Sequence, residues 1–507
     1  MRAMRNRLLL ALTIGLLSIA FAGKAAAQFR PAARAPGAGV PPSRGDGGGY
    51  HGGRNGLGVG LGVGTVLGIL SAMPPAGGQY GGVPDGQYIG DGDGAPPTRR
   101  RPPRRSSRRG ASGAPPANER RYVPDEVVIE VPNSITPQAI SALERRHRLT
   151  RLESQQIALT NRTLFRWRIP DRRSVATVVR ALEGDRVVSA AQPNYLYTLQ
   201  EDASPKAAAP AEGDAAQYEL AKLHLPQAHS IAKGDGVLVA VIDSGIDASH
   251  PELAGAIAAT FDTLESPFKP HFHGTAIAGL IAAHSRLMGA APGARILAAR
   301  AFDPAGDSAK ATTFNILKSL DWAAANKARI VNMSFAGPAD PAIHRSLEAA
   351  YKKGIVLIAA AGNAGAKSPP LYPAAYAEVI AVSATTADDK LFEASNRGKY
   401  IAVAAPGADI LVAVPDASYQ VQSGTSFSAA EISGIAALMI AHKPDIKPAA
   451  VRAVLLATAK DLGPKGRDNE FGAGIADAYR AVTEETAPPK SASKAKRPRK
   501  LIGREGD

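Results

Sequence analysis

Val237-Leu238-Val239-Ala240-Val241-Ile242-Asp243-Ser244-Gly245 decides the fold class. Six uninterrupted apolar residues read as a strand buried on both faces. The acid, serine and glycine that follow mark where it ends. In open α/β sheets, sites are built at that carboxyl edge. Outward from it, between Tyr218 and about Glu484, apolar strand patterns alternate with helical ones. Strands are expected at 295–301, 330–334, 356–360, 379–383 and 401–404. Helices are expected at 274–283, 312–326, 343–353, 426–442 and 448–459. The alternation predicts an α/β domain with a mostly parallel sheet and helices on both faces.

Residues 118–200 form a second, smaller globular stretch. Strand patterns at 126–131, 164–169 and 187–199 frame helical ones at 136–147 and 174–182. If 156–159 is also extended, the order is β-α-β-β-α-β, a ferredoxin-like α+β unit. Residues 202–216 are rich in Ala, Pro, Gly and Asp, so 201–217 reads as a linker open to cleavage. Residues 28–117 hold 24 Gly and 13 Pro and read as a disordered Gly/Pro/Arg-rich segment. Within it, Gly56 to Met73 carries no charge, and Gly56, Gly60, Gly64 and Gly68 recur every fourth residue. A flexible spacer is the favoured reading, with membrane association left open. The arginines between 99 and 109 sit among prolines, as in a solvated linker.

Residues 1–27 join the basic Arg2, Arg5 and Arg7, an apolar run from Leu8 to Ala22 and Ala25-Ala26-Ala27. That is a secretory signal, with cleavage expected before Gln28. Residues 485–507 read as a basic disordered tail. The 507 residues exceed one hydrophobic core, and the formal charge is +15. Residues 1–117 and 486–507 hold the excess, leaving 118–485 at −1, so no basic folded face points to nucleic acid. The chain has no cysteine, which excludes disulfides, thiolate metal sites and a cysteine nucleophile.

Three patterns carry chemistry. Asp243 ends the apolar strand. His273 sits in His271-Phe272-His273-Gly274-Thr275-Ala276, at the start of a helix. Ser426 sits in Ser423-Gly424-Thr425-Ser426-Phe427-Ser428-Ala429, where a long apolar helix opens. A helix N-terminus offers free N–H groups and a positive dipole end to developing negative charge. Serine needs a base, histidine fits that role, and an aspartate can orient the imidazole. Asn363, in Ala361-Gly362-Asn363-Ala364-Gly365 after a buried strand, can offer an amide donor to an oxyanion.

With Asp-Ser-Gly at 243, His-Gly-Thr at 273, Gly-Asn at 363 and Gly-Thr-Ser at 426, in that order, the chain resembles the subtilisin-like serine proteases, the subtilases. The resemblance implies a subtilisin-like fold and an exported endopeptidase acting on proteins or peptides. It makes Asp243, His273 and Ser426 the catalytic triad and Asn363 an oxyanion donor. It also makes Ser334, Phe335, Ala336, Gly337 and Gly362 substrate-binding residues, whose walls suggest an apolar substrate side chain. Residues 118–200, ending in Gln192-Pro193-Asn194-Tyr195, resemble the subtilase propeptide, an inhibitor that the protease cuts off itself. The cut is expected between Leu199 and Gln217. Two positions depart from the family: Ala430-Glu431 stand where Pro-His is usual, and Ala276 replaces a second histidine. The segment 282–289, where many members bind calcium, is short and lacks carboxylates, so no metal or cofactor is expected. His250, His271 and His284 are read as structural or surface residues. The competing class is a surface or matrix-binding protein built on an inactive protease-like scaffold. Oligomeric state is left open.

Overall fold

The computed structural model describes residues 112–200, 206–207, 216–304 and 308–484. The expected signal, the Gly56–Met73 stretch, the arginine cluster and the basic tail lie outside the described residues. Among the described residues, no helix is long and apolar enough to cross a membrane.

In the N-terminal unit, strand β1 (Tyr122–Pro132) alternates two kinds of face. Val127, Ile129 and Val131 point into a core shared with α1 (Pro137–His147) and α2 (Val175–Glu183). Thr136 and Ser174 start these helices by accepting N–H bonds from Ala139 and Thr177. Strands β2 (Thr150–Ile157), β3 (Arg162–Arg168) and β4 (Ala190–Leu199) complete an antiparallel sheet in the order β4-β1-β3-β2. That is the expected β-α-β-β-α-β order, with the second strand starting at 150 rather than 156. Residues 112–117, expected within the low-complexity segment, are described, and Ser112 bonds to Glu183 on α2.

Chain segment β5 (Lys206–Ala207), within the expected linker, precedes the short helices α3 (Tyr218–Lys222) and α4 (Leu225–His229). The quoted apolar run becomes β6 (Leu238–Asp243). After β7 (Ile257–Asp262) and α5 (Phe272–Ala282) comes its neighbour β8 (Arg295–Arg300). Then follow β9 (Lys310–Thr312), α6 (Thr313–Ala325), β10 (Ile330–Met333), β11 (Phe335–Ala336), α7 (Pro341–Lys352) and β12 (Val356–Ala360). Strands β13 (Val379–Thr385) and β14 (Ile401–Pro406) finish the seven-stranded parallel sheet, ordered β14-β13-β12-β10-β6-β8-β7. Strand β7 was not expected. Its half-exposed alternation marks an edge strand, with no apolar run to announce it.

A hairpin, β15 (Ile410–Val414) and β16 (Ser418–Gln422), leads into α8 (Thr425–His442); α9 (Pro448–Thr458) and α10 (Ala478–Thr483) follow. Every residue of α8 from Thr425 to Ile440 is buried, as expected of a helix that is apolar all round. Val239 and Val241 face the core containing α5 and α8, whereas Ala240 and Ile242 face α6 and α7. The latter core also takes in Val128, Leu164, Tyr195 and Tyr197, so the N-terminal sheet lies on α6 and α7.

Polar groups tie that contact together. Asp340 caps α7 through the N–H groups of Ala342 and Ile343, and accepts from Gln192 Nε2 at 2.7 Å and Thr313 Oγ1 at 2.6 Å. Asn194 Oδ1 accepts from Phe314 N in the first turn of α6, and Tyr195 N donates to Thr313 Oγ1. Arg345 of α7 pairs with Glu130 of β1 at 2.8 Å.

Candidate active site

Successive strands leave β6 toward opposite sides of the sheet, β8 one way and β10 the other, so a crevice opens at their carboxyl ends. Asp243 ends β6 there, and Ser334 follows β10. His273, in the first turn of α5, turns Nδ1 onto Asp243, 2.9 Å from Oδ1 and 3.0 Å from Oδ2. Both side chains are fully buried. The His273 ring lies 6.1 Å from that of Phe427, the residue after Ser426.

Two neighbours of this pair were read only as structural or passed over. Ser244 donates its N–H to Asp243 Oδ1 at 2.7 Å and its hydroxyl at 3.0 Å. Its Oγ also lies 3.0 Å from His271 Nδ1 and accepts from Gly274 N. The same Nδ1 accepts from His273 N and so caps α5. Burial pushes the His271 imidazole down to about 4, so it stays neutral near pH 7. The signal for it was its spacing: two residues before His273 puts His271 at the helix cap, over the strand end.

Ser426 lies in the first turn of α8, and its Oγ is 2.5 Å from the Gln200 carbonyl oxygen and 3.2 Å from that of Ser334. Asn363, in the loop after β12, accepts from Thr425 N (3.0 Å) and Thr425 Oγ1 (2.8 Å). Those donors fix its amide orientation, leaving Nδ2 buried with no hydrogen-bond partner among the described residues. A Cβ placed on Gly424 would fall 2.9 Å from that Nδ2 and 3.0 Å from the Gln200 carbonyl oxygen, so only glycine lets both approach this close. Gly362 has φ +108°, and a Cβ there would meet Asn396.

The other predicted substrate-binding residues meet the same segment. β4 runs antiparallel to β9 on one side, Leu196 opposite Thr312, and to β11 on the other, Phe335 opposite Leu199 and Ala336 opposite Thr198. Gln200 N donates to Ser334 O, and a Cβ on Gly337 would strike the Tyr197 ring. Ser334, Phe335, Ala336 and Gly337 therefore line one groove that the chain's own β4 fills, whereas Gly362 N–H donates to Thr425 Oγ1.

The segment 282–289 is organised by an acid from elsewhere. The buried Glu252 carboxylate accepts from the N–H groups of Ser285, Arg286 and Leu287 and from the Tyr419 hydroxyl. That converging donor set suits an anion and does not fit a calcium ion. Among the described residues, one cluster, His344, Glu348 and Glu378, brings potential metal ligands together; its members are half-exposed and pair with one another.

Glu431, the departure from the family pattern five residues past Ser426, is fully buried on α8 beside Glu219 of α3. Gln217 Nε2 donates to Glu219, while Glu219 Oε2 and Glu431 Oε2 have no hydrogen-bond partner among the described residues. Burial raises Glu219 to about 7, and burial together with Glu219 holds Glu431 well above the carboxylate range. The unfolded chain loses these protons near 4.5, whereas the folded chain keeps them to higher pH. The pair therefore withdraws stability as pH rises from about 4.5 through 7. Glu431→Gln in a Ser426→Ala background is expected to gain stability over its parent as pH rises from 5 to 8, read by urea unfolding. An unchanged difference would rule out proton storage by this pair.

Comparisons with known proteins give the family. A family profile described as the subtilase family matches residues 234–474. The chain is 31% identical over 376 residues to the thermophilic serine proteinase of Bacillus sp. (strain AK1), covering 71% of this chain and 88% of that one. It is 33% identical over 274 residues to thermitase of Thermoactinomyces vulgaris, covering 52% and 95%. Among solved structures it resembles fervidolysin from Fervidobacterium pennivorans, described as a keratinolytic enzyme related to subtilisin. The TM-score is 0.62 at 22% identity, over 72% of this chain and 62% of that one, a likeness of fold.

Proposed function

The chain belongs to the subtilase family of serine endopeptidases, and from that premise we propose that Asp243, His273 and Ser426 are its catalytic triad, with Asn363 as oxyanion donor. Ser426 Oγ attacks the scissile carbonyl carbon as His273 Nε2 takes its proton. Asp243 holds Nδ1–H and stabilises the imidazolium that forms. The carbonyl oxygen gathers charge facing Asn363 Nδ2 and the Ser426 N–H at the start of α8. The tetrahedral adduct collapses, the C–N bond breaks, and His273 protonates the leaving amine. Water, activated by His273, then hydrolyses the acyl-enzyme.

The observation that carries this reading is the Gln200 carbonyl oxygen, held 2.5 Å from Ser426 Oγ at the end of a strand paired on both sides, beside a buried amide donor with no partner among the described residues. Occupation of the groove by β4 supports residues 118–200 as an inhibitory propeptide, removed by the protease through a cut in the linker. The signal at 1–27 makes this an exported enzyme; the low-complexity segment and basic tail flank it.

A fluorophosphonate probe tests the reading. The mature protein is expected to be labelled at Ser426, within minutes, and heat-unfolded protein not at all. A folded, propeptide-free protein that resists labelling would favour the scaffold reading, in which the Gly-rich and basic arms bind a surface or matrix.

A further inference from the structure

We propose that the first bond cut is Gln200–Glu201, and that Tyr197-Thr198-Leu199-Gln200 records the substrate preference of the groove: glutamine just before the cut and tyrosine three residues further upstream. The proposal rests on Ser426 as nucleophile and goes beyond it to the bond and the substrate class.

Residue 200 is identified by its main chain. Its N–H donates to Ser334 O at 3.3 Å and its carbonyl oxygen receives Ser426 Oγ. No residue of β4 can offer its carbonyl there in place of Gln200 without shifting the ladder with β9 and β11. A slip of one residue would turn every side chain to the other face. In the chemical step, Ser426 Oγ bonds the Gln200 carbonyl carbon, the bond to Glu201 N breaks, and that nitrogen takes the proton His273 received. Water then frees the Gln200 carboxylate.

The side chains supply the preference. Gln200 Oε1 accepts from Asn363 N at 3.0 Å, where the groove walls had suggested an apolar residue. An apolar side chain there loses this bond. Tyr197 is buried, edge-on to Phe335 with ring centroids 5.8 Å apart, and its hydroxyl donates to Pro338 O at 3.0 Å. Its ring occupies the space that Gly337 leaves by having no side chain: a Cβ there would lie 2.4 Å from the ring. Phenylalanine would fill the same space and leave the Pro338 carbonyl without its donor.

The full chain, purified as precursor and allowed to mature, answers first. Intact mass and peptide mapping at early times are expected to show a released fragment ending at Gln200. The mature enzyme is then given Tyr-Thr-Leu-Gln coumarylamide. Its kcat/KM is expected to exceed that of the Ala-Thr-Leu-Gln peptide by about 100-fold. Against Phe-Thr-Leu-Gln and Tyr-Thr-Leu-Leu, each short of one hydrogen bond, the expected advantage is about 5- to 10-fold. A fragment ending elsewhere, or equal rates for the tyrosine and alanine peptides, overturns the proposal. If casein is still digested, the triad assignment survives that failure. A protein that stays uncut and resists the fluorophosphonate overturns both.

Discussion

Ser426→Ala is expected to remain a single chain through the 201–217 linker and to hydrolyse peptide bonds more slowly by on the order of 10⁶-fold. The substitution removes one oxygen. The helix turn around it stays, because Asn363 still holds Thr425 and α8 stays packed along its length. What disappears is the atom 2.5 Å from the Gln200 carbonyl oxygen. Incubating purified precursor, wild type beside variant, separates self-cutting from cutting by a contaminating protease. Intact mass should show only the wild type losing its N-terminal unit, while thermal unfolding shows both folded. A variant trimmed at the wild-type rate would mean that the nucleophile lies elsewhere.

Asp243→Asn is expected to lower kcat/KM by about 10⁴-fold with little change in KM. The shape is conserved, so the effect is one of proton placement. Two donors from Ser244, at 2.7 and 3.0 Å, hold oxygen at the Oδ1 position. The new NH₂ group must then take the Oδ2 position, 3.0 Å from His273 Nδ1. That donor competes with the Oδ1 oxygen 2.9 Å from Nδ1 and favours the tautomer with its proton on Nε2, the nitrogen that must accept from Ser426, and the neutral amide no longer stabilises the imidazolium. Steady-state kinetics on a short peptide amide checks this. Activity within tenfold of wild type would show that Asp243 does not set the tautomer.

The positions of Asp243, His273 and Ser426 were legible because each sits at the end of a regular element, and that of Asn363 because glycines mark the loop after β12. The small N-terminal unit was legible for a similar reason: its helices open on Thr136-Pro137 and Ser174, whose capping role is local. Other features exist only through space. Gln200 acquires its role from a serine 226 residues away. Glu252 meets the loop it organises from more than thirty residues upstream. Glu431 registered as a departure from a pattern, but its partner Glu219 lies on a five-residue helix with no periodicity to read. His271 was read as structural or surface because a histidine beside a catalytic one looks like a turn residue until Ser244 is seen between it and Asp243.

The caps of α6 and α7 also imply an order of assembly. Both helices begin on groups partly supplied by the N-terminal unit: Asn194 at Phe314, and Gln192 at Ala342 and Asp340. That unit is synthesised more than a hundred residues ahead of either helix and has its own core around Trp167. It can stand finished on the emerging chain, with a strand edge and two helix starts waiting for segments that do not yet exist. Helix nucleation is the costly step, and a preformed start lowers that cost. The bonds that seat the N-terminal unit on the α/β domain are thus the same bonds that begin α6 and α7.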